Sequence, residues 1–179
     1  KKLYELTHQN KHPVQIIIAG KAHPGDSEGN ELIERIKAHA KSPEFSGIIV
    51  YLPHYSIRVA RILTSGADVW LNTPELGKEA SGTSGMKAGL NGALQYSVLD
   101  GWMGEVDWSD KGWILPEKDT ETELYRIIEE EILPLFYARS ENDAPDKWVE
   151  RMQKTIDAVK TEYSMKRTIR NYFEQLYQV

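Results

Sequence analysis

Val14-Gln15-Ile16-Ile17-Ile18-Ala19 (residues 14–19) is short, rich in β-branched residues and almost wholly apolar, the pattern of a strand buried on both faces. A polar loop follows, Gly20-Lys21-Ala22-His23-Pro24-Gly25-Asp26. Residues 31–41 then place Leu32, Ile33, Ile36 and Ala40 on one helical face. The alternation repeats down the chain. Ile48-Ile49-Val50-Tyr51-Leu52 predicts a second strand. Residues 56–65 predict a helix with Ile57, Ala60, Ile62 and Leu63 on its apolar face and Gly66 at its end. Asp68-Val69-Trp70-Leu71-Asn72 predicts a third strand, 83–92 a short helix of small residues, and 94–99 a fourth strand. Strands joined through helices imply right-handed crossovers and an α/β fold on a parallel sheet covered on both faces. Ligands of such sheets sit outside the carboxyl ends of the strands. The loops reaching that edge are 20–26, 53–55, 73–83 and 100–107.

Beyond Pro116 the pattern changes. Residues 122–137, 145–159 and 164–177 predict three amphipathic helices, with Pro134 kinking or ending the first. Residues 140–144 read as a polar turn. The expectation is one domain over 1–179, with 117–179 a helical extension packed on it.

Composition narrows the function. The chain has 179 residues, 40% of them hydrophobic, a net charge of −5 and no cysteine. Without cysteine there is no disulfide framework, thiolate metal site or thiol nucleophile. No basic cluster offers nucleic acid its electrostatic footprint. No apolar run is long enough to span a bilayer. The polar start, residues 1–10, lacks a signal-peptide core, so a cytoplasmic protein is expected. The chain does not begin with Met, and a piece of a longer protein is expected.

The chemistry concentrates in Glu79-Ala80-Ser81-Gly82-Thr83-Ser84-Gly85-Met86-Lys87, at a strand-to-helix crossing. Glycines there let the backbone approach a ligand closely. The first N–H groups of the helix point at an anion, aided by the helix dipole. Thr83 and Ser84 add hydroxyl donors, so a phosphate suits the geometry. Lys87 lies one helical turn after Thr83 and shares its face. A lysine so placed reaches an aldehyde whose phosphate rests on the helix start, which is the shape of pyridoxal 5'-phosphate. Met86, Ala88 and Leu90 are expected to give it an apolar setting that favours an imine. By spacing alone a solvated lysine and an ordinary loop are the favoured reading. The stretch matches neither the nucleotide P-loop nor the Gly-x-Gly-x-x-Gly fingerprint.

Glu79 to Lys87, continuing through Ala88-Gly89-Leu90-Asn91-Gly92-Ala93-Leu94 and Leu99-Asp100-Gly101, closely resembles the cofactor segment of the α-glucan (glycogen or maltodextrin) phosphorylases. Gly20-Lys21-Ala22-His23-Pro24 resembles an earlier loop of that family. Asp68 to Pro74, Glu131 to Tyr137 and Trp148-Val149 resemble its shorter prokaryotic branch. The likeness runs through nearly the whole chain in order. It implies the carboxyl-terminal Rossmann-like domain of the B-type glycosyltransferase architecture. The implied reaction is phosphorolysis of a terminal α-1,4-linked glucose to glucose 1-phosphate with retained configuration. The partners implied are an α-1,4-glucan, inorganic phosphate and the amino-terminal domain of the same enzyme.

By the resemblance, Lys87 holds pyridoxal 5'-phosphate as an imine, and the cofactor's phosphate works beside the substrate phosphate. Thr83, Ser84 and Gly85 are its expected cofactor contacts, with Tyr55 either a further contact or, the favoured reading, a half-buried aromatic under a helix. Glu79 is the expected acceptor for a glucose hydroxyl, with backbone N–H groups of Ser81 and Gly82 donating to the same sugar. Glu79 thus orients sugar and is not a glycosidase-type acid. Its placement near a helix start is also electrostatically sensible without a sugar.

Other residues carry two readings each. Lys21 and His23 either face the cleft phosphates or belong to a turn set by Pro24 and Gly25. Trp102, Trp108 and Trp113 either stack on sugar or pack at the edge of the core, and packing is favoured. Three departures stand out: Ser56 where the animal-type enzymes carry arginine, Pro53-His54 for a more acidic pair, and Gly85 for asparagine, the last shared by the short branch. The basic motif that binds substrate phosphate lies upstream of Lys1 in the family, so the isolated chain is expected to be inactive. The competing readings are a glycogen synthase-like glycosyltransferase domain without pyridoxal phosphate, and a carbohydrate-binding remnant without catalysis.

Overall fold

The computed structural model describes residues 2–9 and 12–177. The chain divides into two compact units, one ending at Ile62 and the other starting at Leu63.

The first unit holds α1 (Lys2–Gln9), β1 (Ile16–Ala19), α2 (Ser27–Lys41) and β2 (Ile49–Leu52), and α3 (Ile57–Gly66) runs across the division. β1 and β2 pair in parallel, from Ile16 opposite Ile49 to Ala19 opposite Leu52. The crossover α2 packs on β2. Asp26 starts that helix, its carboxylate accepting the Gly29 N–H at 2.9 Å. Ser56 does the same for α3, its hydroxyl accepting the Val59 N–H at 3.3 Å. The residue that departs from the animal-type arginine therefore serves as a helix cap.

The second unit holds β3 (Val69–Asn72), α4 (Thr83–Leu90), β4 (Leu94–Val98), a 3₁₀ turn (Gly101–Glu105) and β5 (Gly112–Leu115). After them come α5 (Thr120–Ile127), a π turn (Ile128–Ile132), α6 (Leu133–Tyr137), α7 (Asp146–Glu162), α8 (Met165–Tyr172) and a closing π turn (Phe173–Tyr177). Its sheet runs β3-β4-β5, all parallel. The chain is thus an α/β protein of Rossmann-like type with carboxyl-terminal helices.

Two features differ from the sequence reading. The parallel strands are β1 and β2 within the first unit and β3, β4 and β5 within the second. Apolar runs reveal strands but not which of them pair. β5 was not expected, although Trp113-Ile114-Leu115 is the same kind of short apolar run. Of the two readings for Pro134, kinking or ending its helix, ending is ruled out. A π turn precedes it, in which the Leu133 N–H reaches back to the Ile128 carbonyl, and the chain stays helical to Tyr137. A proline lacks the N–H for a regular bond and clashes with the carbonyl four residues back, which a widened turn relieves.

β4 is buried along its whole length. Leu94, Tyr96 and Val98 on one face join Trp113, Leu115, Ile127, Ile132 and Trp148 in the main core. The Tyr96 hydroxyl donates to the Leu124 carbonyl at 3.1 Å, and burial pushes its phenol above the ordinary range. Gln95 and Ser97 on the other face are also buried. α7 packs on both α4 and β4. A Cβ on Gly89 would stand 3.1 Å from Val159 Cγ2, so glycine sets how closely α4 and α7 approach. Thr155 of α7, fully buried, donates to the Lys111 carbonyl at 2.8 Å. Among the described residues no helix is long and apolar enough to cross a membrane.

Trp148 lies edge-on to Phe136 at 4.9 Å and tilted against Trp113 at 6.2 Å. Trp148→Ala is expected to destabilise the second unit by about 3–5 kcal/mol, read from urea unfolding midpoints.

Candidate functional site

Parallel pairing of β3 with β4, Asn72 opposite Ser97, brings the loops after both strands to one sheet edge. The first loop carries Glu79, Ser81 and Gly82 and leads into α4. The second begins at Asp100. Glu79 is half-buried, whereas Ser81, Thr83, Ser84 and Lys87 are exposed.

α4 starts from Gly82, whose φ of 86° and ψ of 40° are left-handed and favour glycine. No side chain caps the start, so the first N–H groups are left for solvent or an anion. One turn on, the Lys87 amine lies 3.4 Å from the Thr83 hydroxyl, on the exposed side of the helix. The Lys87 amine and Thr83 hydroxyl thus share one exposed face, as the spacing required. Among the described residues the flanking Met86, Ala88 and Leu90 do not surround the amine. Ala88 is fully buried and Met86 packs towards Trp102 and Val159, while Leu90 is itself about half exposed. Successive helix residues point about 100° apart, so the neighbours of Lys87 face elsewhere.

The glycines have a role that the sequence did not reveal. A Cβ on Gly82 would stand 2.9 Å from Trp102 Cδ1. One on Gly85 would stand 2.9 Å from the Gln95 amide oxygen and 3.2 Å from Trp102 Nε1. The space they leave is filled by protein. Trp102 is 3% exposed and meets Trp108 and Tyr163 edge-on at 5.0 and 5.3 Å. The Trp108 indole donates to the Met103 carbonyl at 2.8 Å. Trp113 is buried on β5. All three tryptophans are packing residues.

Two residues that sequence reasoning left without a role hold Glu79. The Asn72 side-chain amide donates to the Glu79 carboxylate at 3.4 Å. The Asp100 carboxylate accepts the Glu79 N–H at 3.0 Å and the Gly101 N–H at 2.8 Å. The Glu79 N–H, with those of Gly101, Gly77 and Lys78, holds the Asp100 carboxyl below the usual range against the opposing effect of burial. Both residues end or follow a strand at the carboxyl edge, which was the available signal.

Other candidates lie in the first unit. The His23 ring accepts the Gly25 N–H at 3.1 Å and its carbonyl accepts the Asp26 N–H, so His23 builds the turn before α2. Lys21 is exposed. Tyr55 is 38% exposed, in the stretch between β2 and α3. Two open cavities of about 470 and 520 Å³ lie along 105–114, and neither is lined by Glu79 or Lys87.

Comparison with known proteins gives a consistent result. The family model described as Carbohydrate phosphorylase matches residues 1–109. A glycogen phosphorylase of Aquifex aeolicus is 39% identical over 98% of this chain and 27% of its own length. A glycogen phosphorylase of Mycobacterium bovis is 37% identical, and a maltodextrin phosphorylase of Thermococcus litoralis 36%, each over 98% of this chain and 22% of its own length. The chain thus spans about a quarter of the length of these curated relatives.

Gly82→Ala combines a left-handed backbone with a collision against Trp102. It is expected to cost about 1–3 kcal/mol. Gly104→Ala, with nothing within 4 Å of its Cβ, is expected to stay within about 0.5 kcal/mol of the parent. Thermal midpoints of the two variants check the contrast.

Proposed function

The chain belongs to the carbohydrate phosphorylase family, and on that premise we propose that it is the cofactor-carrying part of an α-1,4-glucan phosphorylase. The full enzyme uses inorganic phosphate to release glucose 1-phosphate from glycogen or maltodextrin in the cytoplasm. One observation carries the reading: the Lys87 amine and Thr83 hydroxyl lie side by side, 3.4 Å apart, at an uncapped helix start.

The residues present fit pyridoxal 5'-phosphate. Lys87 is solvent-accessible and can hold the aldehyde carbon as an imine. The open N–H groups and hydroxyls of Thr83 and Ser84 suit its phosphate. Gly85 contributes by bringing the helix start down onto Trp102, since its own N–H is turned to the Gly82 carbonyl at 3.1 Å. When bound, the cofactor supplies a phosphate group that serves the substrate phosphate as proton relay or electrostatic partner.

Glu79 accepts a hydrogen bond from a glucose hydroxyl, and the Ser81 and Gly82 N–H groups donate to the same ring. Such contacts accelerate the reaction to the extent that they tighten as charge develops on the sugar. The other wall of the cleft and the basic group for substrate phosphate belong to the remainder of the enzyme.

Borohydride reduction in the presence of pyridoxal phosphate, followed by peptide mapping, is expected to place a pyridoxyl group on Lys87. A label elsewhere, or none, favours a glycosyltransferase domain without this cofactor. The purified 179-residue chain is expected to release no glucose 1-phosphate from maltodextrin and phosphate, and measurable turnover would show that the missing part is dispensable.

A further inference from the structure

We propose that Asp100 is the positioning residue of the sugar-binding loop, fixing the backbone of residues 77–81 so that Glu79 presents its carboxylate to the sugar. This deepens the phosphorylase reading and rests on it.

The loop after β3 has little of its own to hold it. Glu75, Leu76, Gly77 and Lys78 are all exposed, and one internal bond, from the Lys78 N–H to the Glu75 carbonyl, spans them at 3.0 Å. What fixes it comes from the turn after β4. Asp100 Oδ2 accepts the Glu79 N–H at 3.0 Å. Gly101, at a φ of 56°, lies so close that a Cβ there would stand 2.8 Å from the Ser81 carbonyl oxygen and 3.1 Å from that of Glu79. The Trp102 N–H donates to the Ser81 carbonyl at 3.0 Å. Three consecutive residues of one loop therefore grip the backbone of the other on either side of Ala80.

Capping the 3₁₀ turn needs only one carboxylate oxygen, and Oδ1 serves it through the Gly101 N–H at 2.8 Å. The second oxygen is directed at the neighbouring loop. Hydrogen bonds to an ionised acceptor are stronger than neutral ones. With Asn72 holding the Glu79 side chain at 3.4 Å, that residue is fixed at both its backbone and its carboxylate. A carboxylate oriented before the sugar arrives spends no binding energy on ordering itself.

The test uses the full-length enzyme with cofactor and a double-mutant cycle. Asp100→Ala and Glu79→Gln are each expected to lower kcat/KM for maltodextrin phosphorolysis by about tenfold or more. If Asp100 acts through Glu79, the double variant matches Glu79→Gln alone within about twofold. Independently of activity, hydrogen exchange in the segment 77–82 of Asp100→Ala is expected to quicken about tenfold while 94–98 stays as protected as in the parent. Should the alanine variant fail to fold, Asp100→Asn keeps one carbonyl oxygen for Gly101 and is carried through the same cycle. Losses that multiply in the double variant, or exchange that quickens equally in 94–98, overturn the proposal. A parent enzyme without phosphorolysis overturns the phosphorylase reading along with it.

Discussion

An indole packed against two glycines sets the geometry of the whole site. Trp102 occupies the space that side chains at Gly82 and Gly85 would need, with prospective contacts of 2.9 and 3.2 Å. Because those positions are bare, the start of α4 rests directly on a buried aromatic cluster. The Lys87–Thr83 face then points away from that cluster, towards solvent. Were α4 lifted by even one methyl group, the open amides would move relative to the sheet edge. Interiors are packed closely enough that such a change is felt.

The same constraint runs through the second unit. β4 is buried on both faces, with the aromatic and aliphatic core on one side and Gln95 against α4 on the other. α7 spans both, contributing Trp148 to the core at one end and Val159 to the cluster around Trp102 at the other. The carboxyl-terminal helices are thus part of what holds the site. Thr155, fully buried and bonded to the Lys111 carbonyl, ties α7 to the segment entering β5.

Much of this was legible in the primary structure where a local rule was enough. The short β-branched runs marked β1 to β4, the 3.6-residue periodicity marked the helices, and the four-residue spacing of Thr83 and Lys87 put them on one face. β5 was passed over because four residues beside a proline carry little periodic signal. The π turn before Pro134 was not foreseen because proline chemistry says a regular turn fails there, without saying whether the helix ends or widens. The glycines of the site were read as room for a ligand, and they prove to be room for Trp102. That partner lies seventeen residues or more away in the chain, and no local rule names it.

The sequence by itself determined the α/β class, the parallel crossovers, the family likeness and the common face of Lys87 and Thr83. The common face follows from residues one turn apart, where backbone geometry fixes the relation, and the others from the order of local patterns along the chain. Only the tertiary structure decided that Trp102 fills the space beneath Gly82 and Gly85, and that Asp100 grips the Glu79 backbone. Those are relations between side chains and backbone brought together by the pairing of β3 with β4. Register and packing are properties of the assembled sheet, and no stretch of residues carries them alone.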